Sequence, residues 1–283
     1  MTKYAALAVA TNYWKPGDNY TDKITNALTN KIENDDFVVI SEKAISTAKG
    51  NMVDESAAKS QVNARVIASF WMRIVWGYPL GILCHFGKRL LKRLREYPLE
   101  SGSRHKQVAL QQAGLLQALM FGSEGGIDGS NLPYSYVSLP LNNTAELAQE
   151  IQSQIWLKLH KNVCVIVTDT DKTYKFRNFF FTPLPKPLKG IHSVGGAMTY
   201  VLGRMFKFRK SSTPLAVFGC NLQASEALTI TNIADKARGP GSGATVWDMA
   251  ARFHVGVNDV SWEMLAQIRH KPLVIVRKLS KES

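Results

Sequence analysis

Two short stretches place oxygen ligands at sharply bounded points of the chain. Residues 124–133 read EGGIDGSNLP, and residues 162–170 read NVCVIVTDT. In the first, glycines on both sides of Asp128 allow positive φ and a close approach of a ligand. Its carboxylate suits a hard cation, and Asn131 can both donate and accept hydrogen bonds. The competing use is local: an Asx turn, with Asp128 capping its own backbone, is the stronger reading of this segment alone. In the second, an apolar run ends on Asp169 and Thr170, a carboxylate and a hydroxyl at a strand's carboxyl edge. Open α/β sheets bind ligands at that edge. Oxygen donors of this kind suit Mg2+ or Mn2+, which commonly take one or two carboxylates and complete their shell with phosphate oxygens and water. A third stretch, RGPGSGAT at 238–245, is either an anion-binding backbone nest ahead of the TVWDMA helix or a plain connector.

Several chemistries are absent. No GxxxxGK[ST] occurs, so the chain is no P-loop enzyme, and no HExxH or CxxC spacing points to zinc. Cys84, Cys164 and Cys220 are few, odd in number and far apart, which argues against disulfides and for a reducing cytoplasm. Cys164, inside an apolar run, reads as an inert core residue. His85, His105, His192 and His254 read as surface or packing residues. Trp14, Trp71, Trp76, Trp156, Trp247 and Trp262 read as core anchors.

These groups need a scaffold. Residues 4–10 and 36–41 have the length and composition of strands, as do 134–141, 162–170, LAVFG at 215–219 and PLVIVRKL at 272–279. Asp18 or Asn19 caps a first amphipathic helix after a turn at Pro16-Gly17, and another element ends at Gly50. Helices are expected over 52–76, 104–120, 142–160 (capped by Asn143 or Thr144) and 222–237. Further helices follow in TVWDMAARF and VSWEMLAQI, and TPLPKPLKG is a loop. Strands and helices alternate irregularly, so the expected class is α+β or mixed α/β, with mixed sheets and flanking helices in a single domain over 1–283.

Length and charge set the remaining bounds. With 283 residues the chain has ample length for a core. The N-terminal apolar patch of about six residues is shorter than a signal-peptide core and reads as a strand. Residues 66–86 are apolar enough to suggest a membrane span. Arg73 near the middle would cost ~2.5–3.5 kcal/mol there, and Gly77, Pro79 and Gly81 break the run, so a buried helix followed by a loop is expected. The net charge of +13 is sharpest at Lys88, Arg89, Lys92, Arg93 and Arg95, where the spacing puts basic pairs on one helix face. A solvated face is the ordinary reading; anionic ligands, membrane phosphates and, last, nucleic acid are the others.

Taken in order, KPGDNYTDKI (15–24), DDFVVISEKAISTAKGN (35–51), GGIDGSN (125–131), VIVTDT (165–170), LTITNIADKARG (228–239) and the final PLVIVRKL resemble the coenzyme F420-0:L-glutamate ligases. The resemblance implies an unusual α+β fold in an intertwined homodimer. It implies amide ligation of L-glutamate, with GTP (or ATP) as co-substrate, Mg2+ or Mn2+ at the site, and K+ as an additional ion. By position it makes Asp128, Asp169 and Thr170 metal ligands, and Asn131 a nucleotide contact. Thr11, Asn12, Tyr13 and Trp14, with Ser41, Glu42 and Lys43, would lie along the nucleotide. The chain departs from the pattern in three places. Thr47 stands where a nucleotide-contacting lysine is expected, with Lys43 or Lys49 as substitutes. The MGQ or MGE segment is missing, and FGC (218–220) replaces YGR. Aromatic and basic inserts occupy 66–106 and 176–210. Other readings are a γ-glutamyl ligase acting on a folate-like acceptor, a non-catalytic nucleotide- and metal-binding protein, and a basic surface-binding protein using 88–95.

Overall fold

The computed structural model describes residues 3–122, 124–243 and 245–279; Ala244 of the Gly-rich stretch and the chain ends lie outside them. The fold is mixed α/β, with a mixed sheet flanked by helices. Its centre is a parallel pair, β2 (Phe37–Ser41) and β5 (Cys164–Phe176), aligned from Phe37 opposite Cys164 to Ser41 opposite Thr168. On the far side of β2 lie β9 (His270–Leu279) and then β1 (Lys3–Thr11), both antiparallel to their neighbours. On the far side of β5 runs β8 (Arg209–Phe218), antiparallel; the outer half of β5 also pairs β6 (Phe179–Thr182), followed by β7 (His192–Ser193).

Burial on both faces explains why the central strands are uninterrupted apolar runs. Val38, Ile40, Val165, Val167 and Ile275 face α1 (Tyr20–Leu28) and α7 (Thr144–Leu159) through Ile24, Leu28, Leu147 and Ile151. Phe37, Val39, Ile166, Val274 and Val276 face Ile230 and Ala234 of α9 (Ala224–Arg238). Asn19 caps α1 by accepting from Asp22 N–H, as expected. Asn143 precedes α7 without a side-chain cap bond and donates instead to Glu146 at 3.3 Å. A short helix, α2 (Glu42–Ala48), follows β2 directly. The strand expected over 134–141 contracts to β4 (Tyr136–Ser138), which pairs β3 (Met52–Asp54).

The helix expected over 52–76 is displaced. Residues 52–54 belong to β3, and α3 runs from Val62 to Leu83. It passes through Gly77, Pro79 and Gly81 instead of ending there, because residues 67–80 are π-wound, and the wider turn accommodates the proline. Only a third of its most apolar window is buried, so it is not the buried helix expected. It packs with α4 (Lys88–Arg95), α5 (Leu99–Gln112) and, beyond the short α6 (Leu115–Ala118) and after α7, α8 (Ala197–Met205) into a separate cluster around Met72, Trp76, Phe86 and Tyr97. Among the tryptophans, Trp14 and Trp76 are fully buried, whereas Trp156 is half-exposed, its ring edge-on to His160.

The cysteine reading is corrected. Cys164 and Cys220 form a disulfide between the start of β5 and the second residue beyond β8; Cys84 is free and buried. Antiparallel register brings the two together across 56 residues of chain. Denatured protein should therefore titrate one thiol before reduction and three after. Cys220→Ser should lower unfolding stability by about 4 kcal/mol, the loop-closure figure for this separation; three thiols without reduction would contradict the pairing.

Candidate active site

The parallel pair positions the site. Ser41 and Thr168 are in register, so the next residues, Glu42 at the start of α2 and Asp169 within β5, lie side by side where the parallel pairing ends. Beyond Asp169 the pairing with β8 slips: Asp169 opposes Thr213 but Lys172 opposes Ser212. This bulge re-aims Thr170 and Asp171 toward a cavity of about 1130 Å3. Asp128 reaches the same cavity from the loop that precedes β4, held by a bridge between its backbone and that of Ser138. Gly126 makes the approach possible: its φ is +97°, and a Cβ there would sit 3.2 Å from Pro140 and 3.5 Å from an Asp169 carboxylate oxygen.

Lys43, on the first turn of α2, joins these parts. Its ammonium pairs with Asp128 and donates to the carbonyl and hydroxyl of Ser130, each at 3.0 Å. Asp128 also accepts from Ser130 N–H at 2.7 Å, so the Asx turn and the cavity placement hold together. Glu42 is buried and accepts from Leu141 N–H at 2.6 Å. Burial, and then the nearby Asp169 charge, hold its carboxyl well above the usual carboxylate range. Asp169 is raised too, by burial and the Asp128 charge, against the pull of the Asp171 N–H at 2.8 Å and of Lys43. Three carboxylates thus share one region, with Lys43 beside all three and the Lys172 charge acting on Asp169 as well.

Of the other residues expected at the site, Tyr13, Trp14, Ser41, Thr170 and Asn131 line the cavity, whereas Thr11 and Asn12 do not. The Thr11 hydroxyl accepts from the Trp14 indole at 3.0 Å. Asn131 spends its side-chain carbonyl on the Gly-rich turn, accepting from the Ser242 N–H (2.7 Å) and hydroxyl. Gly241 has φ +63°, and a Cβ there would meet that same oxygen at 2.8 Å. The turn is thus pinned to the cavity wall and is not a free connector. Thr47 also lines the cavity, as does Lys43; Lys49 does not, and its ammonium lies 5.7 Å from the centre of the Tyr20 ring.

Two features of the cavity wall were not expected. Arg238, the last residue of α9, has its Nε and Nη2 buried and without a hydrogen-bond partner. Nearby Lys172 is taken by Asp235 at 2.9 Å. Leaving such donors unmet costs about 1–3 kcal/mol each, which an incoming phosphate or carboxylate would recover. The second feature corrects the reading of His105 as a packing residue. It bridges Glu55 (2.6 Å) and Glu124 (2.9 Å), and Lys106, fully buried, also pairs with Glu124.

Among the described residues no group of three His, Cys, Asp or Glu side chains is close enough to hold a metal ion alone. The donor set still fits a hard cation that relies on substrate oxygens. Asp128, Asp169 and Thr170 offer only oxygen, and the crowded carboxylates favour added positive charge.

Comparison with known proteins fits this arrangement. The family model for F420-0:gamma-glutamyl ligase matches residues 8–237. The chain belongs to that family. An uncharacterized protein of Methanocaldococcus jannaschii is 34% identical to it over 284 residues, covering 96% of each chain. The family match includes Lys43, Asp128, Asp169 and the helical cluster, and it stops at Ala237, one residue before Arg238 and the pinned turn. This is the region where the MGQ-type segment is missing.

The buried network sets a pH window. His105 is raised to about 10, because the Glu55 and Glu124 charges outweigh burial; Glu124 is lowered to about 2, because Lys106 and His105 do the same. The His105 contribution is full below the unfolded value of 6.5 and fades as pH rises through about 10. The Glu124 contribution is full above 4.5 and fades as pH falls toward about 2. Calorimetric Tm should therefore form a plateau between these unfolded values and fall on both sides. Glu124→Gln should cost about 3–5 kcal/mol and flatten the profile; an unchanged Tm in this variant would refute the network.

Proposed function

We propose that the protein joins L-glutamate to F420-0 in a nucleotide-driven amide ligation. The observation that carries this reading is the gathering of Glu42, Asp128 and Asp169 around Lys43 on the wall of a cavity large enough for a nucleotide and a second ligand. A free carboxylate is a poor acyl donor. Phosphoryl transfer to the acceptor carboxylate turns one of its oxygens into part of a leaving group. The glutamate amine then attacks the acyl carbon, the bond to phosphate breaks, and the amine gives up a proton.

In this reading Asp128, Asp169 and Thr170 hold Mg2+ or Mn2+, which would spread the charge of the phosphates. Lys43 pairs with Asp128 and aligns it, and its charge also acts on Asp169 and Glu42. Arg238 takes an oxyanion of one reactant on its two unmet donors. The bulge at Thr170–Asp171 keeps the strand end open, and Tyr13 and Trp14 close the cavity beside His270. The preference for GTP, a homodimer, a K+ site and a cytoplasmic setting belong to the same reading.

Product mass spectrometry tests it. The purified protein is incubated with glutamate, GTP or ATP, and Mg2+ or Mn2+, with F420-0 and tetrahydrofolate as parallel acceptors. F420-0 should gain one or more glutamyl units. Asp128→Asn and Asp169→Asn should each abolish product while circular dichroism stays native, and wild-type turnover by both would remove the metal assignment. Arg238→Ala should raise KM for one anionic reactant by roughly 10- to 100-fold, the value of a lost charged hydrogen bond.

A further inference from the structure

Outside the active site, α3 carries an apolar stripe that nothing among the described residues covers. Val62, Val66, Phe70, Ile74, Tyr78 and Ile82 recur at every fourth position, and each is 47% or more exposed. The inward side of the same helix is ordinary core, with Ile67, Met72 and Trp76 buried. Its long apolar composition is therefore not explained by packing. A soluble surface seldom leaves so long an apolar row in water unless something docks there.

The charge beside the stripe identifies the partner. From Ser56 to Arg95 the chain has eight Lys or Arg and no Asp or Glu. On α4, Lys88, Arg89, Lys92 and Arg95 are exposed, while Arg93 turns inward to Asp248 at 2.9 Å. The two helices meet where the Arg95 guanidinium lies 4.3 Å from the centre of the Tyr78 ring and donates to Gly77 O at 2.9 Å. The apolar row thus runs directly into the basic face. A second copy of this chain would set like charges against each other. Nucleic acid would leave the apolar row unmet. A bilayer carrying anionic headgroups satisfies both, with the row in the acyl boundary and the ammonium and guanidinium groups at the phosphates.

We infer that α3 and α4 form a docking face for an anionic membrane surface, on which the protein lies peripherally. Arg73 supports lying on the surface over crossing it: near the middle of α3, its Nε donates to Tyr97 O at 2.8 Å and is held within the helical cluster. The inference is independent of the ligase chemistry, because the face is the outer side of the cluster and the cavity is lined from its inner side by Tyr97 and Phe121.

Cosedimentation of the full chain with vesicles tests it directly. Vesicles of phosphatidylcholine alone are compared with equal mixtures of phosphatidylcholine and phosphatidylglycerol. Wild type should pellet with the mixed vesicles, should pellet little with the neutral ones, and should lose binding at high salt. Lys88→Gln with Lys92→Gln should weaken binding by roughly fivefold per charge removed. Phe70→Ser with Ile74→Ser should weaken it at least tenfold, with Tm within a few degrees of wild type. No binding to mixed vesicles, equal binding to both kinds, or full binding by both double variants would overturn the inference. So would light scattering showing that Phe70→Ser with Ile74→Ser splits a dimer, since the stripe would then be a subunit contact.

Discussion

Two carboxyl groups, Glu42 and Asp169, are held together where the parallel pairing of β2 and β5 ends, and burial makes each reluctant to carry charge. The rest of the site follows from that crowding. Lys43 projects from the turn after Glu42 and brings Asp128 in as its partner. The Leu141 and Asp171 amides each supply a hydrogen bond to one of the crowded groups. Low dielectric strengthens every one of these interactions, attractive and repulsive alike. A region of this kind gains from any positive charge that enters with a phosphate, and an enzyme of this family handles anionic reactants.

The helical cluster contributes differently. It adds a wall to the cavity through Tyr97 and Phe121, and it is tied to the rest of the chain through the Arg93–Asp248 pair. Its buried charges are balanced where His105 and Lys106 meet Glu55 and Glu124. Its outer surface is unbalanced, apolar along α3 and basic along α4. Inner and outer faces therefore answer to different partners, a reactant on one side and a surface on the other.

Much of the scaffold was legible from local pattern. FVVI and VCVIV are short, β-rich and apolar on both faces, which is how a central parallel pair must look, and Asp169 falls where the apolar run ends. What was hidden depended on register or on winding. Cys164 and Cys220 gave no spacing signal because strand pairing, not sequence distance, brings them together. Glu55, His105 and Glu124 are separated by 50 and 19 residues, so no motif links them. Gly77, Pro79 and Gly81 are ordinary helix breakers, and only π winding lets α3 continue past them. Arg238 stood in plain view beside the Gly-rich stretch, but that its donors go unmet is a property of the packed cavity alone.

The alignment of β2 with β5 acts as a ruler. One added or deleted residue in either strand would move its terminal carboxylate by about 3.3 Å and turn it to the opposite face of the sheet. Lineages of this fold are therefore free to grow or trim the helices that hang beyond the cavity, yet they are tightly confined in the length of ten residues at the centre. Divergence in this architecture should accumulate in its walls and its outer coat, with the ruler left untouched.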